Sequence, residues 1–357
     1  MKVVHLVWWY KEISVQLSNS MSKLADTYLI ASEEFKEFIE KNKVKGLKVI
    51  YFKERRLRNP MNFMYVWRII DKINALDPDI VHLQDGYPWL AMLMWRLKAK
   101  IVTTMHDPKQ HLGEEKFWET FRDRKNKKHT DRYIVHGKYL KRLLHSHMGI
   151  PKSKIDTIHH GSMDMMYERL KRKKKGKRVL FFGRIWPYKG VDYLIKSEPY
   201  ISKKVKDFKI VIAGQGEDFD KYQKLIKNPK RFEIHNRYID DEEIPQLMTD
   251  SDVVVFPYIE ATQSGVLTVA YSFGKPVVAT KVGSIPEIVI DGQTGLLVRP
   301  KDSKELGEAI VKILSDTKLS AKLIKGAKSF NNKVLGWDVI AKQTLKTYER
   351  CLKAKKS

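Results

Sequence analysis

Residues 253–280 read VVVFPYIEATQSGVLTVAYSFGKPVVAT. A strand-like apolar run ends at Pro257, and a second begins at Pro276. Between them lies a helix-length segment whose opening, Glu260-Ala-Thr-Gln-Ser-Gly265, offers a carboxylate, hydroxyls and backbone amides but almost nothing to bury. Strand, helix and strand in succession form the crossover unit of a parallel sheet, whose strands need a connection of about a dozen residues or more. In such sheets ligands sit at the carboxyl ends of strands, where this polar opening falls.

The same alternation extends in both directions. KVVHLVWW, TYLIAS, LKVIYF, DIVHLQ, AKIVTTMH and RYIVHG read as strands of a first half, with intervening segments such as PWLAMLMWRLKA read as helices. The pattern breaks at RLKRKKKGKR, residues 169–178, where like charges repel and nothing can be buried. It restarts at RVLFFGRIWPYKG and continues through FKIVIAG, FEIH, DVVVFP, KPVVAT and GLLVRP. The expected architecture is α/β with two doubly wound domains, residues 1–170 and 171–336, facing each other across a cleft. A final helix in 337–357 is expected to pack back on the first domain.

A chain of 357 residues with 43% hydrophobic and 11% aromatic residues can build two such cores. Cys351 is the only cysteine, so no intramolecular disulfide can form and a reducing, cytoplasmic setting is expected. No apolar run has the length of a secretory or membrane-spanning segment. With 68 Lys+Arg against 42 Asp+Glu, the formal net charge is +26. That excess points to anionic partners: phosphorylated substrates, acidic lipid headgroups or nucleic acid.

Several loops after strands carry anion-binding chemistry. Gly183 follows a strand directly, Arg184 offers a guanidinium fork, and Lys189 adds an ammonium at the mouth of the next helix. Two exposed cations on a surface turn would look the same. Gly214 and Gly216 in IAGQGE read first as a tight-turn requirement and only then as a ligand contact. If a helix begins near Ser264, the amides of Gly265, Val266 and Leu267 lack partners and point out of its positive end, a ready site for a diphosphate. Glu260 lies too far ahead of that helix to cap it and is free to accept hydrogen bonds from sugar hydroxyls.

The run GRIWPYKG, IAGQGE, IDDEEIPQLMTDSDVVVFPYIEATQSGV, FGKPVVATKVGSIPEIV and DGQTGLLVRP, in this order and spacing, resembles the retaining glycosyltransferase family 4, the glycosyl transferases group 1. Members have the GT-B fold of two Rossmann-like domains. In the first half only the general pattern and TTMHDP carry the likeness. The resemblance implies that Arg184 and Lys189 neutralise the diphosphate of a UDP-, GDP- or ADP-sugar and the charge growing on the leaving group. It implies backbone contacts to the same phosphates from Gly183, Ser264, Gly265 and Val266, with Glu260 on the donor sugar's hydroxyls and Tyr238 bordering the base. His106 would stand beside donor sugar and acceptor; as an ordinary buried histidine it would be satisfied by Asp107. Retention at the anomeric carbon, by front-side attack, is also implied.

Two features depart from the family. A second glutamate is usual with seven residues between, but the two alignments reach Thr268 and Val269, so the carboxylate to the ribose is missing. The first strand is followed by WWYKEIS instead of a glycine pair, leaving Lys11 or the Trp8, Trp9, Tyr10 cluster to shape that loop.

Asp250-Ser-Asp252 imitates a metal-binding DxD, yet it reads as a helix end followed by a buried strand; no metal and no cofactor beyond the donor substrate is expected. On the acceptor side, Arg55, Arg56 and Arg58 precede the helical apolar set Phe63, Met64, Trp67 and Ile70. This segment reads either as a helix packed on its sheet beside a basic loop or as a surface that touches anionic lipid and receives a lipid-linked acceptor. A glycan or small-molecule acceptor needs no membrane contact. A nucleic-acid-binding protein has only the charge in its favour and no compact recognition motif, so no nucleic-acid partner is expected. A sugar-nucleotide epimerase of similar fold would need no acceptor.

Overall fold

The computed structural model describes residues 1–53, 56, 59–107, 127–164, 167–168, 170–216 and 219–354. The chain divides into two compact units, Met1–Gly161 joined by Trp337–Ser357, and Ser162–Gly336. The division falls upstream of the basic run because residues after Gly161 are already tied to the second unit. Ser162 N donates to Leu335 O and Met163 N to Ser272 Oγ, at 2.8 and 3.0 Å. The basic run itself is fastened there too. Arg172 forms a two-pronged pair with Asp252 at 2.8 Å, and the amides of Lys173 and Lys174 donate to Asp250 Oδ1.

Among the described residues, the first unit holds seven parallel strands: β1 (Lys2–Val7), β2 (Asp26–Ser32), β3 (Lys48–Phe52), β4 (Ile80–Gln84), β5 (Lys100–Met105), β6 (Arg132–Val135) and β7 (Ile155–Thr157). Their order is β3-β2-β1-β4-β5-β6-β7. Because the crossovers lie on both faces, β1 and β4 are buried almost throughout, which is why their sequences read as continuous apolar runs. Val4, Leu6, Val81 and Leu83 pack on Val66, Ile69, Ile70 and Ile73 of helix Asn62–Ala75, whose buried residues follow the spacing of one helix face. Val7, Leu29 and Ala31 face Val15 and Ile39. The helix expected over PWLAMLMWRLKA is shorter: Pro88–Leu93 is α-helical, with proline in its first turn, and Met94–Arg96 tightens into a 3₁₀ turn.

Helix Trp337–Lys353 belongs to this unit and packs on helix Lys11–Met21. Gly161 makes room for it, since a Cβ there would lie 2.4 Å from the Trp337 ring. Tyr348 carries the helix into the sheet, where His5 of β1 and His82 of β4 are paired in register. Its hydroxyl is 3.0 Å from His5 Nε2 and 2.6 Å from His82 Nδ1. The protons of this network have one consistent arrangement. Ser18 Oγ donates to Ser14 O, so it accepts from His5 Nδ1 at 2.7 Å. His5 Nε2 then accepts from Tyr348, whose oxygen accepts from His82 Nδ1, and His82 Nε2 accepts from Thr104 Oγ1 at 2.7 Å. Both imidazoles are neutral in this arrangement, and burial lowers both their pKa values, that of His5 to about 3.

The second unit has six parallel strands among the described residues: β8 (Lys177–Phe182), β9 (Phe208–Ala213), β10 (Phe232–His235), β11 (Val253–Phe256), β12 (Val277–Thr280) and β13 (Gly295–Val298). The order β10-β9-β8-β11-β12-β13 reverses direction between β8 and β11. At such a reversal the helices leave on opposite faces and a crevice opens at the strand ends. Val253, Val254, Val255 and Phe256 are all buried, as are Val179, Leu180 and Phe181 beside them.

Candidate donor site

The loops after β8 and β11 meet at this reversal. Gly183 leaves β8 with φ 130°, and its amide continues the ladder by donating to Ala213 O at 3.0 Å. Residues Pro187–Lys189 form a 3₁₀ turn, and Gly190 follows at φ 65°. Gly190 has no room for a side chain: a Cβ would lie 2.0 Å from Pro257 O at the end of β11. The turn is held there by Ile259 N donating to Tyr188 O at 2.8 Å.

This contact gathers the cations. Lys189 Nζ lies 3.9 Å from the Tyr258 ring centroid, and among the described residues it forms no ion pair. Arg184 is exposed; its Nη2 donates to Tyr188 Oη at 3.3 Å and its guanidinium lies 5.7 Å from the Trp186 ring. Glu260 is half-buried, and its carboxylate accepts no hydrogen bond among the described residues. Its amide is within 3.4 Å of Tyr188 O, so carboxylate and lysine stand on joined turns.

Helix Gly265–Ser272 begins where its sequence placed it, with Ser264 as the N-cap residue in extended conformation. A serine there normally turns its hydroxyl back onto the first-turn amides. Here Ser264 makes no such cap, and its Oγ is 3.2 Å from Tyr258 Oη instead. The helix therefore presents its opening without a side-chain cap, but of the three amides expected to lack partners that of Leu267 donates to Ser264 O at 3.2 Å, so the opening narrows to Gly265 and Val266. Space around Gly265 is open: a Cβ there would meet nothing within 4 Å. Val266 lies close to Gly183, whose hypothetical Cβ would be 3.8 Å from Val266 Cγ2. The fold thus brings Gly183, Arg184, Lys189, Glu260, Ser264, Gly265 and Val266 together.

Tyr238 stands apart, after β10 and two strands away from β8. The residue is 67% exposed and its carbonyl accepts from Arg237 Nη1, which also grips Glu243. Thr268, the position of the missing ribose carboxylate, is fully buried and donates to Gly265 O at 2.7 Å; Val269 is buried as well. Asp250 and Asp252 both have partners within the chain. Besides Arg172, Asp252 accepts from Arg178 N at 2.8 Å, and both carboxylates are engaged in fastening the segment before β8. Among the described residues no cluster of acidic, histidine or cysteine side chains fits a metal ion.

In the first unit His106 lies just past β5 and is buried. Its Nε2 faces Gln84 Oε1 at 3.0 Å, so the residue that orients its ring is Gln84, and its amide donates to Asp85 Oδ1. Tyr10, held at φ 60° after β1, stacks on His106 with ring centroids 4.0 Å apart. His136 and His160, at the ends of β6 and β7, stand 4.8 and 6.4 Å from His106, centroid to centroid. Burial, reinforced by His160, lowers the His106 pKa to about 3, so the ring is neutral at physiological pH. In the sequence, His136 and His160 are marked only by the glycine that follows each after a strand, a signal shared with many ordinary turns. Trp8 is buried and stacks on Tyr87 at 4.5 Å, while Lys11 Nζ covers the Phe38 ring at 4.9 Å. Arg55 and Arg58 lie outside the described residues.

Two parallel α/β units, one carrying a cation-flanked helix opening at its topological reversal, are those of the GT-B fold. Residues 176–316 match the model of the Glycosyl transferases group 1 and residues 13–162 that of Glycosyltransferase Family 4, and the chain belongs to this glycosyltransferase family. An uncharacterized glycosyltransferase of Methanocaldococcus jannaschii is 27% identical over 231 residues, covering 60% of this chain and 59% of that protein. A phosphatidyl-myo-inositol mannosyltransferase of Mycobacterium leprae is 30% identical over 201 residues, covering 55% of this chain and 51% of that protein. The chain thus spans little more than half the length of these relatives. The crystal structure of Anabaena HepE in complex with UDP-glucose matches with a TM-score of 0.73 at 18% identity, covering 98% of this chain and all of that one, a likeness that shows the fold. No helix among the described residues is long and apolar enough to cross a membrane.

Proposed function

We propose that this chain is a retaining, metal-independent glycosyltransferase that moves a sugar from a nucleoside-diphosphate sugar to a hydroxyl acceptor. The observation that carries the reading is the side-chain-uncapped opening of helix Gly265–Ser272 beside Arg184, Lys189 and the unengaged Glu260 carboxylate. Breaking the sugar–phosphate bond leaves an oxocarbenium-like carbon and an anionic diphosphate. Fixed amides and cations aimed at the leaving group lower that barrier without reorganising, which is the work a divalent ion does elsewhere. Lys189, half-buried on Tyr258, holds its charge in a partly desolvated place, where it acts more strongly than a solvated lysine.

Glu260 accepts from donor-sugar hydroxyls and orients the ring for attack. His106, neutral because it is buried, serves the sugar or acceptor as a hydrogen-bonding group and not as an acid. Retention is what the family likeness supports: the departing phosphate takes the acceptor's proton from the same face. UDP is a reasonable first donor nucleotide because the HepE structure holds UDP-glucose, and lipid acceptors are represented among relatives by the mannosyltransferase named for phosphatidyl-myo-inositol.

The test is binding and transfer by Arg184→Ala and Lys189→Ala. Loss of a charge-assisted phosphate contact costs about 1.5–3 kcal/mol, roughly ten- to hundredfold in affinity. Calorimetry with UDP and GDP should show that loss in both variants with unchanged thermal unfolding. Wild-type affinity in both removes the phosphate assignment.

A further inference from the structure

Among the described residues, two neighbouring segments of the first unit turn out several large hydrophobic side chains. Helix Asn62–Ala75 turns out Phe63, Met64 (49% exposed) and Trp67, and the neighbouring Pro88–Arg96 segment turns out Met92 and Trp95, the last 62% exposed. The two segments are neighbours, since helix Pro88–Leu93 packs against helix Asn62–Ala75. Phe63 and Trp67 are in ring contact at 5.9 Å, and Arg96, next to Trp95 in the chain, stacks on Trp67 at 3.4 Å. Asn74 Nδ2 donates to Arg96 O at 2.9 Å, joining helix to turn. The opposite side of the same helix buries Val66, Ile69, Ile70 and Ile73, so the exposed set is surplus to the core.

Cations surround this face. Arg68, Lys72 and Lys98 are exposed and form no ion pair among the described residues, whereas Asp71 is neutralised by Arg96 at 2.8 Å. Leaving large apolar groups in water is unfavourable unless something covers them. Indoles and thioethers ringed by unpaired cations match the headgroup boundary of an anionic bilayer, where tryptophan's apolar body and polar N–H are both satisfied and lysines meet phosphates. The chain's net charge of +26 adds long-range attraction to the same surface.

We infer that the face carrying Met64, Trp67, Met92 and Trp95, with Arg68, Lys72 and Lys98 around it, seats the first unit on an anionic membrane. It extends beyond the helix to Met92 and Trp95, outside the basic stretch that the sequence alone suggested. The inference is independent of the donor reading, since none of these residues belongs to the donor loops.

The experiment is co-sedimentation with phosphatidylcholine vesicles with and without phosphatidylglycerol, comparing wild type, Met64→Ser/Trp95→Ser and Arg68→Gln/Lys72→Gln/Lys98→Gln. All five positions are exposed, so both variants should keep the wild-type melting temperature. Each basic residue near an anionic surface contributes about fivefold to binding, so the triple variant should bind phosphatidylglycerol vesicles on the order of a hundredfold less tightly. The apolar variant should also bind less, and raising salt from about 0.1 M to about 1 M should release the wild type as screening shortens. Brominated acyl chains should quench tryptophan fluorescence in the wild type and less in the Trp95 variant. Vesicle binding equal in all three proteins would assign attachment to overall charge and overturn the inference. So would no binding, or a wild-type dimer in sedimentation velocity that Met64→Ser/Trp95→Ser dissolves, which would make a second copy the occupant. UDP affinity measured in parallel keeps the two readings apart, because its failure sinks the donor site alone.

Discussion

Lowering the pH from about 7 to about 5 should destabilise the first unit through its buried histidines. His5, His82, His106, His136 and His160 are all buried there, and burial lowers the pKa of each. The unfolded chain titrates each near pH 6.5, whereas folded His5 and His106 stay neutral to about 3. Below about pH 6.5 the unfolded state therefore binds more protons, and stability falls by ~1.4 kcal/mol per pH unit for each imidazole. Over the ~1.5 units down to pH 5 that is about 2 kcal/mol each, or about 4 kcal/mol for His5 and His106 together, with the other three acting in the same direction. Against a typical stability of ~5–15 kcal/mol this is enough to bring the unit near unfolding. Carboxylates such as Glu243, held at about 2 by Arg237, lose their contribution only at lower pH, so the histidine window stands clear of theirs. Urea denaturation followed by tryptophan fluorescence reads the right unit, because Trp186 is the only tryptophan within Ser162–Gly336. The same urea midpoint at pH 7 and pH 5 would refute the reasoning, since five buried neutral imidazoles cannot be indifferent to that change.

Tyr348→Phe removes both the donor to His5 Nε2 and the acceptor for His82 Nδ1, and leaving these buried groups unpaired should cost about 2–4 kcal/mol; a urea midpoint within error of wild type would count against the network. Glu260→Gln should lower the turnover number at least tenfold with UDP affinity within about twofold, because its partners are sugar hydroxyls; an equal loss of UDP binding would move Glu260 to the phosphates. Gly190→Ala forces a Cβ against Pro257 O at 2.0 Å on a φ of 65°, so the turn must shift. It should lose more than about 2 kcal/mol in thermal unfolding and weaken UDP binding, and unaltered behaviour in both would show that this turn is not what sets the position of Lys189.

Much of this was legible in advance because the relevant signals are local. A strand buried on both faces must be apolar along its length, so β1, β2, β4, β5, β8, β9 and β11 announced themselves. The helix start at Ser264 was legible from the polar run before it, but that run is not the solvated opening its composition suggested: Ala261, Thr262 and Ser264 are buried, and only Glu260, Gln263 and Gly265 keep partial exposure. The basic run at 169–178 was legible as charge but not as attachment. Only the fold shows Arg172 gripping Asp252 and Asp250 receiving two amides, so both carboxylates of the DxD-like pair have partners within the chain.

By itself, the sequence determined two parallel α/β units, the helix starts and the residue types available at each strand end, because periodicity and turn chemistry act over a few residues. Tertiary structure decided which of those residues meet. Gly190 against Pro257 O brings Lys189 beside Tyr258 and Glu260; Gln84, from a neighbouring strand, takes His106 Nε2; and Tyr348, arriving from the chain's last helix, completes the hydrogen bonds of His5 and His82. These contacts join segments up to 343 residues apart. Their geometry follows from strand order, register and the absence of a Cβ at a few glycines, none of which a one-dimensional pattern contains.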